Sequence, residues 1–458
     1  MNLNLHPPVA ETLSGVSSAI RERRLSCREL FERCRAAIQA VDDDVRAWVS
    51  FGGKAVEKVV DERDSELERG VWRGPLHGIP IGVKDIYDVA GLPTLAGIPN
   101  RSAESVDSDA AMVERLRDAG AIIVGKTVTT PYAFFDPPKT RNPWNLNRTP
   151  GGSSSGSAAA VASGMCFGAL GSQTGGSIIR PAAFCGIAGY KPTFGLLSRR
   201  GMFPFASSLD HPGPMARTVE DLMCLMTALS PRRLRPAFRE LLNTPTDEGI
   251  NVCEKVFGGE AWSNELSLLW LEEGFAEKCE PVMGEAMKAT VHRLAGCGAC
   301  AGSNYTDELD LPKLWRCHRA IMAVEIAVLQ HERLQQRPEE FTPAIRGLIE
   351  EGLATRPVEY AAAIQFQREL RRKARTAIGH EIWLSPAARG PAPTQETTGD
   401  PCMNSPWSFL GFPTITFPMA LSPDGLPLGL QLIAAPGNDL ELFQAARWCE
   451  HRLRGAGL

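Results

Sequence analysis

Two glycine-lined serine clusters stand close together in the stretch GGSSSGSAAAVASGMCFGALGSQTGGSIIRPAAFCGIAGYKPTFG, residues 151–195. Ser153, Ser154, Ser155 and Ser157 form the first, and Ser177 follows Gly175 and Gly176 in the second, 24 residues after Ser153. Consecutive glycines let a backbone approach a substrate closely and aim several N–H groups at one point. Such a nest can hold an oxyanion. Thr174, Gly175, Gly176 and Ser177 would supply its donors, and Ser177 would be a nucleophile at the start of a helical turn entered through Ile178, Ile179 and Pro181. The alternative is a Gly/Ser-rich surface loop, because these are ordinary turn residues.

A hydroxyl nucleophile needs a base, and Lys84 is placed to serve as one. It stands inside PLHGIPIGVKDIYDVAGLPTLAGIP, between Ile81, Val83 and Ile86, in a texture of short strands and tight turns. Burial disfavours an ammonium and lowers its pKa, which makes a lysine basic near neutral pH. The competing reading is a strand-end lysine paired with the neighbouring Asp85. His77 reads as a hydrogen-bonded turn residue.

The elements that would carry these groups are legible in outline. Ala158 to Ala162 read as a closely packed helix stopped near Gly164, and Phe167 to Leu170 as a strand. Asp109 is a plausible N-cap for a helix that turns Val113 and Leu116 inward and stops at Gly120, before a strand from Ala121 to Val124. Residues 10–50 read as helical, with Ser26 and Glu29 in capping-box positions.

Two motif matches mislead. Gly120-Ala121-Ile122-Ile123-Val124-Gly125-Lys126-Thr127 fits a phosphate-binding loop letter for letter, but a helix precedes it and Ile-Ile-Val fills it. Gly152-Ser153-Ser154-Ser155-Gly156 fits a nucleophile elbow, yet the polar loop NPWNLNRTP precedes it where a strand is required. Nucleotide binding and an α/β-hydrolase are both poor fits.

Composition bounds the rest. The 458 residues, 43% hydrophobic with a net charge of −4, allow a large core and give no sign of a nucleic-acid partner. No apolar run is long enough for a membrane span, and MNLNLHPPVAETLSG lacks a signal-peptide pattern. Twelve scattered cysteines point to a reduced, cytoplasmic setting. Cys297 and Cys300 form a lone CxxC, read as a helix-to-strand turn rather than a metal site.

GVKDIYDVAGLPTLAG, DAGAIIVGKT, NPWNLNRTPGGSSSGSAAAVASG, GSQTGGSIIRPAAFCGIAGYKPTFG and GPMARTVEDL, in that order, closely resemble the amidase signature family. The resemblance is dense from about Pro75 to Leu225 and returns near the C-terminus. It implies an α/β fold, a mixed central sheet covered by helices on both faces, with a helical insertion. The expected parts are an N-terminal helical region (1–70), the signature core (71–229), a largely helical insertion (230–395) and a C-terminal return to the core (396–458), all one body. It further implies a Ser-cisSer-Lys triad, with Lys84 as base, Ser153 as bridging serine and Ser177 as nucleophile, and no cofactor or metal. Two positions depart from many family members: Gln173 replaces an aspartate, and Ile179 intervenes before the arginine, here Arg180. This form looks more like a stand-alone amidase.

The expected activity is hydrolysis of a small-molecule amide, or of a carbamate or ester, through an acyl-enzyme, by a monomer or homodimer. Alternatives are a glutaminase-like component of a tRNA-dependent amidotransferase and a non-catalytic binding protein on the same fold. Tyr132, Phe134, Phe135 and Gly152 are candidate pocket residues, although an aromatic cluster is more often core.

Overall fold

The computed structural model describes residues 11–244, 266–297, 299, 301–303, 309–379 and 381–454. Eleven strands join in one sheet: β1 (Trp48–Phe51), β2 (Pro80–Lys84), β3 (Ile122–Thr127), β4 (Gly168–Gln173), β5 (Ala188–Lys191), β6 (His211–Ala216), β7 (Leu268–Leu271), β8 (Ala301–Ser303), β9 (Ile382–Pro386), β10 (Thr414–Leu421) and β11 (Pro427–Ile433). Their order is β1-β3-β2-β4-β6-β5-β10-β11-β9-β7-β8. The three strands nearest the serine clusters run parallel, β3-β2-β4. Helices Ala111–Asp118 and Ser155–Ala162 make their crossovers. Antiparallel pairs then run from β4 through β6, β5, β10 and β11 to β9, so the sheet is mixed.

Every residue of β2, β3, β4, β5, β6, β9 and β11 is buried. A strand buried along its whole length is covered on both faces, which is why these segments read as continuous small or apolar runs without alternation. The helix Ser155–Ala162 is likewise buried at every position. Small residues permit that contact: a Cβ on Gly156 would lie 2.3 Å from the Ala47 carbonyl oxygen and from the Val128 nitrogen.

Several expectations need correction. Asp109 is not an N-cap: the helix begins after Ala110, while Asp109 accepts from the Ala90 N–H and pairs with Arg117. The N-terminal region is not wholly helical, because β1 forms one edge of the sheet. The largely helical segment 230–395 also supplies β7, β8 and β9 and extends the sheet by three strands. Trp270 lies in β7, and the next long helix of this segment starts only at Pro281. The capping box of Ser26 and Glu29 is present. Cys297 is exposed at the end of helix Pro281–Gly296, and Cys300 lies outside the described residues. Among the described residues no helix is long and apolar enough to cross a membrane.

Candidate active site

Parallel pairing of β2 and β4 brings the base and both serine clusters to one end of the sheet. Lys84 closes β2 with its side chain fully buried, and its Nζ lies 2.8 Å from Ser153 Oγ and 2.8 Å from Ser172 Oγ. Asp85, the alternative partner, is engaged elsewhere. Its carboxylate takes an ion pair from Lys126 Nζ at 2.9 Å, with both side chains buried. Lys84 therefore has hydroxyl neighbours and no carboxylate ligand among the described residues. Burial drives its pKa well below the ordinary lysine value, with the more distant Asp210 carboxylate opposing that shift. That shift favours the neutral amine. Its two hydroxyl neighbours leave its lone pair free to accept a proton from one of them.

The other serines of the first cluster have structural partners. Ser154 Oγ exchanges hydrogen bonds with the backbone of Ser172, accepting from its N–H at 3.2 Å and donating to its carbonyl at 3.3 Å. Ser157 Oγ donates to the Leu170 carbonyl, and Ser155 Oγ to that of Ser153. Ser153 alone faces the lysine, and the peptide bond that precedes it, Gly152–Ser153, is cis.

Ser177 precedes the short helix Ile179–Phe184, half-buried, and its hydroxyl has no hydrogen-bond partner among the described residues. The helix touches the first cluster directly. Arg180 Nη2 donates to the Gly152 carbonyl at 2.8 Å, and a Cβ on Gly151 would stand 2.9 Å from Pro181 Cα. Gln173 organises the loop between: its Oε1 accepts from the N–H groups of Ile178 and Ile179, at 2.9 and 3.0 Å. A neutral side-chain carbonyl thus caps the helix. The N–H groups just before, on Gly175, Gly176 and Ser177, have no partner among the described residues. Three adjacent free donors beside a free hydroxyl make a site suited to a carbonyl oxygen that gains negative charge.

Thr174 is held on two sides. Its hydroxyl donates to Asp210 Oδ1 at 2.6 Å, and its carbonyl accepts from His318 Nε2 at 2.9 Å. Asp210 also accepts from the Phe205 and Ala206 N–H groups, and burial pushes its pKa up to about 6.

The expected pocket residues divide. Tyr132 is wholly buried, stacked on Phe341 and edge-on to Phe203, and Phe134 stacks on Phe205. Both serve as packing. Phe135 is only partly buried and lies under the Arg180 guanidinium, with 5.6 Å between ring centroid and Cζ. Gly152 is a close-approach position, since a Cβ there would meet Thr398 Cγ2 at 2.8 Å. Sequence reasoning missed Ser172, Asp210 and His318. Ser172 had a signal, lying beside the second cluster on a strand; Asp210 and His318 had none, because Asp210 arrives on the approach to β6 and His318 from the insertion helix Leu311–Gln336.

The Amidase family model matches residues 29–443. The chain is 32% identical to the A chain of the glutamyl-tRNA(Gln) amidotransferase of Chloroflexus aggregans, over 94% of each chain. It is also 32% identical to AtzE, a 1-carboxybiuret hydrolase component of a Pseudomonas species, over 95% of this chain and 96% of that one. The peptide amidase of Stenotrophomonas maltophilia superposes with a TM-score of 0.79 at 27% identity, over 98% of both chains. The match spans the sheet, both serine clusters and the insertion, and the chain belongs to the Amidase family of amide-hydrolysing enzymes.

Proposed function

We propose that the protein is a stand-alone amidohydrolase in which Ser177 attacks the carbonyl carbon of a linear amide, activated by neutral Lys84 through Ser153. The carrying observation is the buried amine of Lys84 at 2.8 Å from Ser153 Oγ, with no carboxylate bound to it among the described residues. Lys84 takes the Ser153 proton as Ser153 takes the Ser177 proton, and Ser177 Oγ bonds to the carbonyl carbon. The oxyanion is received by the N–H groups of the Thr174–Ser177 loop, each donor worth roughly 3 kcal/mol in the transition state. When the intermediate collapses, the C–N bond breaks, the Ser153 hydroxyl protonates the departing nitrogen, and the Lys84 ammonium returns a proton to Ser153. Ammonia or an amine leaves. Water then attacks the acyl-Ser177 ester by the same relay, releasing the acid and restoring the serine. A carbamate or an ester carries the same electrophilic carbonyl and falls within the same chemistry.

Ser177→Ala tests the proposal: release of ammonia or amine from a panel of amides and carbamates, and of alcohol from esters, should fall by about a thousandfold or more, and covalent labelling by a fluorophosphonate should vanish. Near-normal turnover by that variant would end it. Similarity to an amidotransferase chain favours a second reading, a glutaminase-like component that works with a partner chain. Turnover of simple amides by the isolated protein decides for the first reading; activity on glutamine alone, and only with a partner, decides for the second.

A further inference from the structure

We propose that His318, carried by the insertion helix Leu311–Gln336, is a positioning residue that aims the Gly175 N–H at the substrate oxygen. This inference rests on the oxyanion role proposed above for the 174–177 loop. The Thr174 carbonyl and the Gly175 N–H are the two ends of one planar peptide unit. In a trans peptide they point in opposite directions. A donor on the carbonyl therefore fixes the direction of the N–H and polarises it, making it a stronger donor in turn. The donor is His318 Nε2, 2.9 Å from the Thr174 oxygen, and the N–H at the other end has no partner among the described residues.

The imidazole suits that task. A carbonyl accepts, so Nε2 carries the proton and Nδ1 does not. Burial pushes the His318 pKa down to about 4, so this neutral tautomer persists across the working range of most enzymes. The ring is 4% exposed, and Phe409 packs near it with 6.4 Å between ring centroids. A Cβ built on Gly175 would lie 3.7 Å from His318 Cε1, so the ring also covers that side of the loop. Asp210 fixes the Thr174 side chain from the core, while His318 fixes its carbonyl from the insertion. A segment outside the dense run of signature motifs thereby controls one donor of the site.

The test compares His318→Gln, His318→Asn and His318→Ala with wild type. Glutamine can present an N–H near the Nε2 position, whereas asparagine reaches only to about Nδ1. The readout is the second-order rate of labelling by a fluorophosphonate, whose phosphoryl oxygen needs the same donors, together with the final labelling stoichiometry. His318→Ala and His318→Asn should label about tenfold or more slowly, to the wild-type stoichiometry; His318→Gln should recover most of the rate. With an amide substrate the loss should appear in kcat rather than KM. Equal rates for the Gln and Asn variants, or a wild-type rate for His318→Ala, would overturn the positioning role alone. Labelling that survives Ser177→Ala would instead overturn the nucleophile assignment, and the positioning role with it.

Discussion

Gly175 and Gly176 are adjacent in one loop, and the structure expects opposite outcomes from giving each a methyl group. Neither has the positive φ that would demand glycine, so only space decides. A Cβ on Gly175 meets nothing closer than 3.7 Å, an ordinary contact. On Gly176 it would stand 2.6 Å from Asn404 Oδ1 and 2.9 Å from Arg180 Nη1. Neither neighbour is a free end. Asn404 Nδ2 donates to the Ala387 carbonyl and to Gln431 Oε1, and Arg180 donates to the carbonyls of Thr398 and Gly152. Relief needs a shift of the loop or of these anchors, and overpacking of this kind costs about 1–3 kcal/mol. Displacing Arg180 also loosens its bond to the Gly152 carbonyl, the peptide unit that carries the relay serine. At about 1.4 kcal/mol per factor of ten in rate, Gly176→Ala should lose roughly 10- to 100-fold in kcat as well as about 1–3 kcal/mol of stability. Gly175→Ala should stay within about 0.5 kcal/mol of wild type. Urea denaturation and steady-state ammonia release measure both. If the two variants prove equally stable and equally active, close packing around Gly176 is not what the loop depends on.

Lys84 must be neutral to accept a proton, and burial lowers its pKa; kcat/KM should therefore fall as pH drops through that lowered value, and Lys84→Ala should lose the activity itself at every pH. A kcat/KM that rises as the pH drops would contradict this. Asp210 opposes the shift on Lys84, so Asp210→Asn should move the acid limb of kcat/KM to lower pH; movement to higher pH would show the wrong sign. Lys126→Met leaves Asp85 buried without its cation and should cost about 3–5 kcal/mol in urea denaturation. A cost under about 1 kcal/mol would mean that the pair holds little of the core together.

The parts legible in sequence were those written in local pattern. The buried strands announced themselves as short small-residue or apolar runs, and the helix Ser155–Ala162 as an alanine-rich segment ending at Ser163 and Gly164. The serine clusters were visible because glycine and serine repeat within a few residues. What stayed hidden depends on pairing between distant segments. Nothing near residue 318 signals that a histidine on a long helix will meet a carbonyl 144 positions earlier. Asp210 similarly gains its meaning from Thr174 at the exit of the neighbouring strand. Tyr132 and Phe134, near the serines in sequence, take the core alternative and pack on Phe341 and Phe205.

The division of labour between two lysines underlies the proposed chemistry. Lys84 and Lys126 lie near the ends of adjacent parallel strands, both buried, and among the described residues only one carboxylate, Asp85, is within ion-pair reach of either. Lys126 takes it, with further bonds to the Pro93 carbonyl and Thr94 Oγ1. The glycine pattern around Lys126 that mimics a phosphate loop is thus a strand whose lysine neutralises a core aspartate. With that carboxylate held by Lys126, Lys84 faces hydroxyls alone among the described residues. An ammonium held by two neutral hydroxyls in a buried site is costly, whereas an amine there is not. Had Asp85 turned to its sequence neighbour instead, Lys84 would stay protonated and inert. The basicity proposed for Lys84 therefore depends on Lys126, a residue of the next strand outside the proposed relay.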